Sequence, residues 1–464
     1  MDISFSGMDS LFSTVLVVAL IIATADIIKP VASSNDNGEE NQSLLLLVVF
    51  DGFRYDYLEK TSTPNFDRLV SMGAKPGGLT PAFATKTFPG HHTIATGLYQ
   101  ENHGIIGNEM YDPEFNSTFG QANNEPRWWN YGGEPIWVTN QLNGGRTVSV
   151  FWPGDRVNIS GMTATYHQPA YDGSFPFNDR IDLVVGLMSN GSANLGILYF
   201  HEPDSTGHLQ GPESEATADS IALCDETLGY LLDKLSEANL LDDVNIILTS
   251  DHGMASVSSN QTVFLDDYID RSLYFYTNND PVFGLWPYEE GNTDALYNAL
   301  KDAHPSMNVY LKAEIPEEYH YRDNRRTSPI LVVMEEGWHV WINSSVAGNW
   351  QRYNGNHGFL NTLESMRSIF IASGPAFKAN YASDDLLDAV DVYNLMCHLL
   401  SVSPARNNGT FSHVQPLLAN EVTGTTPLAG IETTFQMTTG SGIRETFSPL
   451  LLSLGFTIFL AFYN

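Results

Sequence analysis

The chain has 464 residues, is 42% hydrophobic and carries a formal net charge of −32. The length admits one large domain or two, and the hydrophobic content is that of an ordinary globular protein. An acidic balance this large excludes a stable, sequence-independent nucleic-acid partner, which needs a basic face; a small anionic substrate stays open if metal ions supply local positive charge.

In chain order, Leu11 to Ala25 reads LFSTVLVVALIIATA, an apolar run closing on small residues. It predicts a signal peptide over 1–25, although no Lys or Arg precedes it. A polar linker, 26–43, leads to LLLLVVF at Leu44 to Phe50. A short continuous apolar run bounded by turn residues suits a strand buried on both faces. LGILYF (Leu195 to Phe200), VNIILTS (Val244 to Ser250), ILVVM (Ile330 to Met334) and IFIAS (Ile369 to Ser373) read the same way.

Helices lie between these strands. Thr63-Pro64 opens one over 65–72, with Pro in the first turn. Glu213 to Ala238 sets Ile221, Cys224, Leu228, Leu231 and Leu235 in one apolar stripe. Alternating strands and helices predict an α/β fold with a mostly parallel central sheet flanked by helices. Residues from about 255 to 353, rich in aromatics, Asn and Pro, read as an irregular insertion into a catalytic domain spanning 44–418.

A Thr-rich stalk, 419–442, ends at Gly440-Ser441-Gly442. The last segment, 443–464, contains the apolar run Pro449 to Tyr463. Small residues, a spacer and an apolar tail predict a glycosylphosphatidylinositol anchor signal, with a membrane-spanning tail as the alternative. Asn-x-Ser/Thr glycosylation sites at Asn41, Asn116, Asn158, Asn190, Asn260, Asn343 and Asn408 agree with a secreted or cell-surface protein. The cysteines, Cys224 and Cys397, make no disulfide scaffold and read as buried free thiols.

In an open α/β sheet, ligands bind beyond the carboxyl ends of the strands. The first strand is followed by Asp51, the second by Asp204 and His208, the third by Asp251 and His252. Singly, each is more often a turn or capping residue, and so is His357 in its turn-like stretch. Together they make a mixed imidazole and carboxylate set that suits zinc, with manganese or iron as alternatives. The donors are too many for one tetrahedral ion, so two ions are expected. Paired metals are the usual device for in-line phosphoryl displacement.

The stretches VVFDGFRYDYL, TKTFPGHHTIATGLYQENHGIIGNEMYDP, YFHEPDSTGHLQGP, TSDHGM and GNHGF occur in that order. From about 44 to 417 the sequence resembles the ectonucleotide pyrophosphatase/phosphodiesterases of the alkaline phosphatase superfamily. EPIWVTNQ, HYRDNRRTSPILVVMEEGWHV and HLLSVSPARNNGTF are similar to the short members numbered four and five.

The resemblance implies an alkaline-phosphatase-like core and two Zn2+ per chain. Asp204, His208 and His357 would hold one ion. Asp51, Asp251 and His252 would hold the other, which Thr87 touches. It implies Thr87 as a nucleophile that forms a covalent threonyl-nucleotide, and Asn108 as a donor to a phosphate oxygen. Phe88, Tyr171 and Tyr199 match positions around a nucleobase. The implied substrates are small nucleotides: dinucleoside polyphosphates, NAD or nucleoside triphosphates, cleaved outside the cell. His91 and His92 are expected to be structural, Lys86 to face solvent, and Glu335 and Glu336 to form a solvated turn. Gly90 departs from the family, where Asn usually stands, and is expected to loosen the Thr87 loop. Rival readings are a choline-phospholipid phosphodiesterase, a catalytically weak cell-surface binding protein on this fold, and a phosphate monoesterase, which would call for serine at position 87.

Overall fold

In the computed structural model, which describes residues 43–348 and 352–419, Leu44–Phe50 forms β1, inside an eight-stranded sheet. Its side chains from Leu45 to Phe50 are wholly buried, which is why all of them are apolar. The other strands are β2 (Gly73–Lys75), β3 (Thr147–Val150), β4 (Tyr166–His167), β5 (Leu195–Phe200), β6 (Val244–Thr249), β7 (Phe370–Ser373) and β8 (Tyr381–Ala382). The spatial order is β8-β2-β7-β6-β1-β5-β3-β4. Pairing is parallel throughout, except that β7 runs antiparallel to both β6 and β2.

Register decides where the polar residues land. Phe50 lies opposite Phe200, and Val49 opposite Thr249. The three central strands therefore end side by side, and the residues just after them share one edge of the sheet.

The helices include α1 (Pro64–Met72), α2 (Thr87–Thr96), α3 (Phe177–Ser189), α4 (Asp204–Gln210), α5 (Glu215–Glu237) and α6 (Asp391–Leu399). Ser214 caps α5 by accepting from the Thr217 N–H. The carboxylate of Asp225, on α5, accepts from the N–H groups of Asn65 and Phe66. It thereby supplies the acceptor that the first turn of α1 lacks. Ile221, Cys224, Leu228, Leu231 and Leu235 are all buried, as their stripe predicts. Both cysteines are buried and free.

The insertion is more regular than its composition suggests. Tyr274–Asn279, Val282–Pro287, Ile330–Met334 and Met307–Leu311 form a four-stranded antiparallel sheet in that order. It has its own hydrophobic cluster, including Phe283, Leu285, Leu300 and Val332. Ile330–Met334 thus belongs to this second sheet and not to the central one. An apolar run reports burial on both faces but not which sheet does the burying.

The expected signal peptide, linker, stalk, anchor and Asn41 sequon lie outside the described residues, save Ser43 and Ala419 at the inner ends of linker and stalk. Among the described residues, no helix is long and apolar enough to cross a membrane. Asn116, Asn158, Asn190, Asn260 and Asn408 are exposed, whereas Asn343 is half-buried. The Asn343 amide donates to Asp266 and caps the following turn through its oxygen.

Candidate active site

Asp51 follows β1 directly, and its N–H donates to Phe200 O at 2.9 Å, continuing the ladder to β5. Asp251 and His252 follow β6, and Asp204 opens α4 one short turn after β5. His357 arrives from a separate segment. Its Nδ1 pairs with Thr85 O at 2.7 Å, just before α2.

The structure brings these residues into two groups of candidate metal donors. Ligand atoms of Asp51, Asp251 and His252 lie within 4.8 Å of one another, and so do those of Asp204, His252 and His357. His208 stands beside the second group, with Nε2 at 3.5 Å from Asp204 Oδ1; His357 Nε2 is 3.6 Å from the same oxygen.

The donor chemistry fits metal ions. The Nδ1 atoms of His208, His252 and His357 face the carbonyl oxygens of Gly355, Gly253 and Thr85. A carbonyl can only accept, so each Nδ1 carries the proton and each Nε2 keeps its lone pair for a ligand. Asp51 Oδ1, Asp204 Oδ1 and Asp251 Oδ2 are buried and make no hydrogen bond of good geometry. The approaches of His252 Nε2 to Asp51 and Asp251, 3.4 and 3.1 Å, are close in distance but not aligned for one.

Electrostatics points the same way. Burial, then the neighbouring Asp251 and Asp204, push the Asp51 carboxyl well above its usual range. Burial also acts to raise Asp251, but the imidazoles of His252 and His91 outweigh it and hold it low. Burial depresses His208 and His357, which favours the neutral, ligating form of each. At His252 burial also lowers, but the neighbouring Asp251 carboxylate outweighs it and raises the ring, a pull that a cation between the two would remove. Carboxylates gathered like this repel one another unless a cation sits between them.

Thr87 begins α2, is 9% exposed, and has its hydroxyl 3.4 Å from His252 Nε2. It lies where the first N–H groups of a helix are left without helical partners. Asn108 Oδ1 accepts from the Phe88 N–H at 2.9 Å, which fixes the amide and leaves its NH2 group without an acceptor among the described residues.

Two cavities meet here. One, of about 530 Å³, carries Asp51, Thr87, Phe88, Tyr171 and Tyr199. The other, of about 460 Å³, carries Thr87, Asn108, His208 and His357; Thr87 and Asp204 wall both. Tyr171 is 52% exposed and presents a ring to the first cavity. Tyr199 behaves differently from a base-stacking residue. It is almost wholly buried, and its hydroxyl donates to Asp51 Oδ2.

Two expectations around α2, those for Lys86 and Gly90, need correction. Lys86 does not face solvent: it is buried, and its Nζ donates to Asp280 O and His357 O, both at 2.6 Å. Burial pulls its pKa down to about 8. Gly90 does not mark a loose loop: a Cβ there would lie 2.9 Å from Asp251 O, so the helix presses against a candidate ligand. His91 is tied to the site, with Nδ1 2.8 Å from Thr87 O and 3.3 Å from Asp251 Oδ2. His92 is buried against Trp129 and His103, away from both donor groups. Glu335 and Glu336 are exposed.

The loop Phe151 to Arg156 forms a wall of the first cavity and carries no local signal in the sequence. It follows β3, a short strand whose apolar residues alternate with Thr and Ser, so the strand-end rule had no strand to start from.

Comparison with known proteins agrees with this geometry. The family model for type I phosphodiesterase / nucleotide pyrophosphatase matches residues 45–360. Ectonucleotide pyrophosphatase/phosphodiesterase family member 5 of Homo sapiens is 39% identical over 410 residues, covering 88% of this chain and 83% of that protein. The bis(5'-adenosyl)-triphosphatase of Mus musculus is 40% identical over 391 residues, 83% of this chain and 84% of the relative. The solved structure of murine ectonucleotide pyrophosphatase/phosphodiesterase 5, an inactive variant in complex with AMP, superposes with a TM-score of 0.78 at 40% identity. That match covers 82% of this chain and 100% of the other. The chain belongs to the type I phosphodiesterase/nucleotide pyrophosphatase family, on the alkaline-phosphatase-like fold and close to members 4 and 5, and is a hydrolase of phosphodiester or pyrophosphate bonds.

Proposed function

We propose that the protein hydrolyses small nucleotides, dinucleoside polyphosphates foremost, outside the cell, with a pair of zinc ions and Thr87 as nucleophile. The observation that carries this reading is the meeting of three carboxylates with unpartnered buried oxygens, and imidazoles with free Nε2 lone pairs, around one threonine hydroxyl. Asp204, His208 and His357 would hold one ion, and Asp51, Asp251 and His252 the other.

Bound there, the metals supply the positive charge that lowers the hydroxyl pKa and neutralises phosphate. The chain's own residues do the rest. Thr87 Oγ loses its proton and forms a bond to phosphorus while the bond from phosphorus to the leaving oxygen breaks, giving a threonyl-nucleotide. Asn108 donates from its NH2 group to a non-bridging oxygen as charge gathers on it. Water then displaces Thr87 Oγ and releases a nucleoside monophosphate. Phe88 and Tyr171 offer aromatic faces to a base. The two cavities joined at Thr87 give each arm of a dinucleotide its own space. The mouse relative's name, bis(5'-adenosyl)-triphosphatase, supports that substrate class. The N-terminal apolar run and the exposed sequons support an extracellular location, and the C-terminal run supports a membrane anchor.

The test is an assay of the zinc-loaded protein on p-nitrophenyl-TMP, diadenosine triphosphate and lysophosphatidylcholine. The nucleotide substrates are expected to turn over, and cleavage of the lipid alone would sink the proposal. Thr87→Ala is expected to abolish turnover while zinc content stays at about two per chain.

A further inference from the structure

The inserted sheet reaches the candidate metal site through one carboxylate. Asp280 and Pro281 form the turn between Tyr274–Asn279 and Val282–Pro287, where Asn279 pairs with Val282. The Asp280 side chain is buried and accepts three hydrogen bonds. They come from His339 Nδ1 at 2.6 Å, the Val340 N–H at 2.7 Å and Asn356 Nδ2 at 2.8 Å. His339 and Val340 belong to the insertion, on a strand, His339–Trp341, paired with Thr262–Phe264. Asn356 lies on the other side of the carboxylate and immediately precedes the candidate ligand His357.

These bonds fix the orientation of an amide. An ionised carboxylate only accepts, so Asn356 turns its NH2 group to Asp280 and its oxygen the other way. That oxygen accepts from the His357 N–H at 2.9 Å. The backbone of Asn356 is held separately, in an antiparallel pair with Ala255, three residues beyond His252. His357 is thus gripped twice, at its N–H by Asn356 and at Nδ1 by Thr85 O. The Thr85 bond sets the tautomer of the ring. The Asn356 bond sets where the main chain carries it.

We propose that Asp280 is a positioning residue for the metal site: through Asn356 it fixes His357, and so the insertion sets the zinc affinity of the group formed by Asp204, His208 and His357. This rests on the metal reading above. Groups that hold a ligand in place without touching the metal typically carry about 10–100-fold of metal affinity. Asp280→Asn breaks the link with the least change of shape. The new amide has one oxygen for three donors, and its NH2 group faces one of them. Asn356 is then free to turn its own NH2 group toward the His357 N–H, donor against donor.

The experiment titrates zinc into the metal-stripped full chain by calorimetry, with a chelator as competitor. The wild type is expected to show two steps; the one that disappears in His208→Ala belongs to Asp204, His208 and His357. Asp280→Asn is expected to weaken that step about tenfold and to leave the other unchanged. Asn356→Ala weakens the same step by a similar factor. In the double variant the two losses do not add, because both break one link. Phe283→Leu, in the separate hydrophobic cluster of the insertion, lowers the urea midpoint and leaves both zinc steps in place.

An unchanged step in Asp280→Asn, or losses that add in the double variant, overturns the role of Asp280. So does equal weakening in Phe283→Leu, which would make the effect a general loosening of the insertion. If Asp280→Asn fails to fold, Asn356→Ala decides: undiminished zinc affinity there overturns the proposal. Two wild-type steps that ignore Asp280 leave the metal reading intact. A wild type that binds no zinc overturns that reading, and this inference with it.

Discussion

Tyr199 donates its phenolic hydrogen to Asp51 Oδ2 at 2.6 Å, from a position between the His91 and Tyr171 rings. The hydroxyl holds one Asp51 oxygen and leaves Oδ1 without a hydrogen-bond partner. It also offsets, in part, the burial that pushes the Asp51 carboxyl up. Partners of this kind orient a ligand and tune its basicity. Tyr199→Phe keeps the ring packing and removes only the donor. Zinc affinity of the Asp51 group is expected to fall about 10–100-fold, read by competition with a chelator. A residue that only stacked on a base would instead raise KM with zinc affinity unchanged.

Lys86 joins the insertion to the catalytic core. Its ammonium bonds the Asp280 carbonyl on one side and the His357 carbonyl on the other. Gly358 packs so tightly that a Cβ there would approach Lys86 Cε to 2.5 Å. Lys86→Met leaves two carbonyls without this donor, each costing about 1–3 kcal/mol if buried and unmet, less what is recovered by not burying a cation. The expected net loss is about 2 kcal/mol, measured as a lower midpoint in urea with zinc saturating. Lys86→Arg is not expected to rescue it, because the larger head has no room beside Gly358. An unchanged midpoint in Lys86→Met would show that the two carbonyls find other partners.

The contrast between these two residues and Asp51 explains what the sequence makes readable. Asp51, Asp251 and Asp204 stand just beyond strands whose burial is written in unbroken apolar runs. Parallel registry then forces their convergence. Tyr199 sits inside such a run, where a tyrosine looks like packing and nothing local says where its hydroxyl goes. Lys86 looks exposed because lysine usually is. Its acceptors come from positions 280 and 357, at sequence separations of 194 and 271, and no local pattern records them. The insertion's antiparallel sheet is hidden for a related reason. Tyr274–Asn279 carries Asn and aromatics and is partly buried, so neither a clean alternation nor an unbroken apolar run marks it. Val282–Pro287 is buried and apolar but holds Gly and ends on Pro, which read as turn signals.

His92 predicts how the fold responds to acid. The ring is fully buried, neither nitrogen has a hydrogen-bond partner, and burial lowers its pKa to about 3. The unfolded chain therefore binds a proton near pH 6.5 that the folded chain refuses until about pH 3. Stability from the neutral ring is fully present above pH 6.5 and is lost as pH falls toward the folded value, at up to about 1.4 kcal/mol per pH unit. His92→Leu is expected to flatten this part of the stability profile between about pH 6 and 4. Burial depresses His103, whose ring lies 4.9 Å away, in the same direction, so some acid sensitivity persists. Urea midpoints across this range for both proteins provide the check; parallel profiles would refute the assignment to His92.

Gly90 gives the sharpest test of how α2 is seated. A Cβ at this position would lie 2.9 Å from Asp251 O and 3.1 Å from Asp251 Cβ. Asp251 cannot move aside cheaply, because Oδ1 accepts from the Gly52 N–H and from Ser250 Oγ. Glycine is thus required here by closeness and not by backbone freedom. Gly90→Asn, the residue usual in the family the sequence resembles, must drive α2 and Asp251 apart. Overpacking of this kind costs about 1–3 kcal/mol. The strain falls on the group formed by Asp51, Asp251 and His252, so zinc there is expected to weaken before zinc at Asp204, His208 and His357. Metal titration followed by calorimetry resolves the two steps. A variant that keeps both steps and its unfolding midpoint would mean that the helix has slack where the structure shows contact.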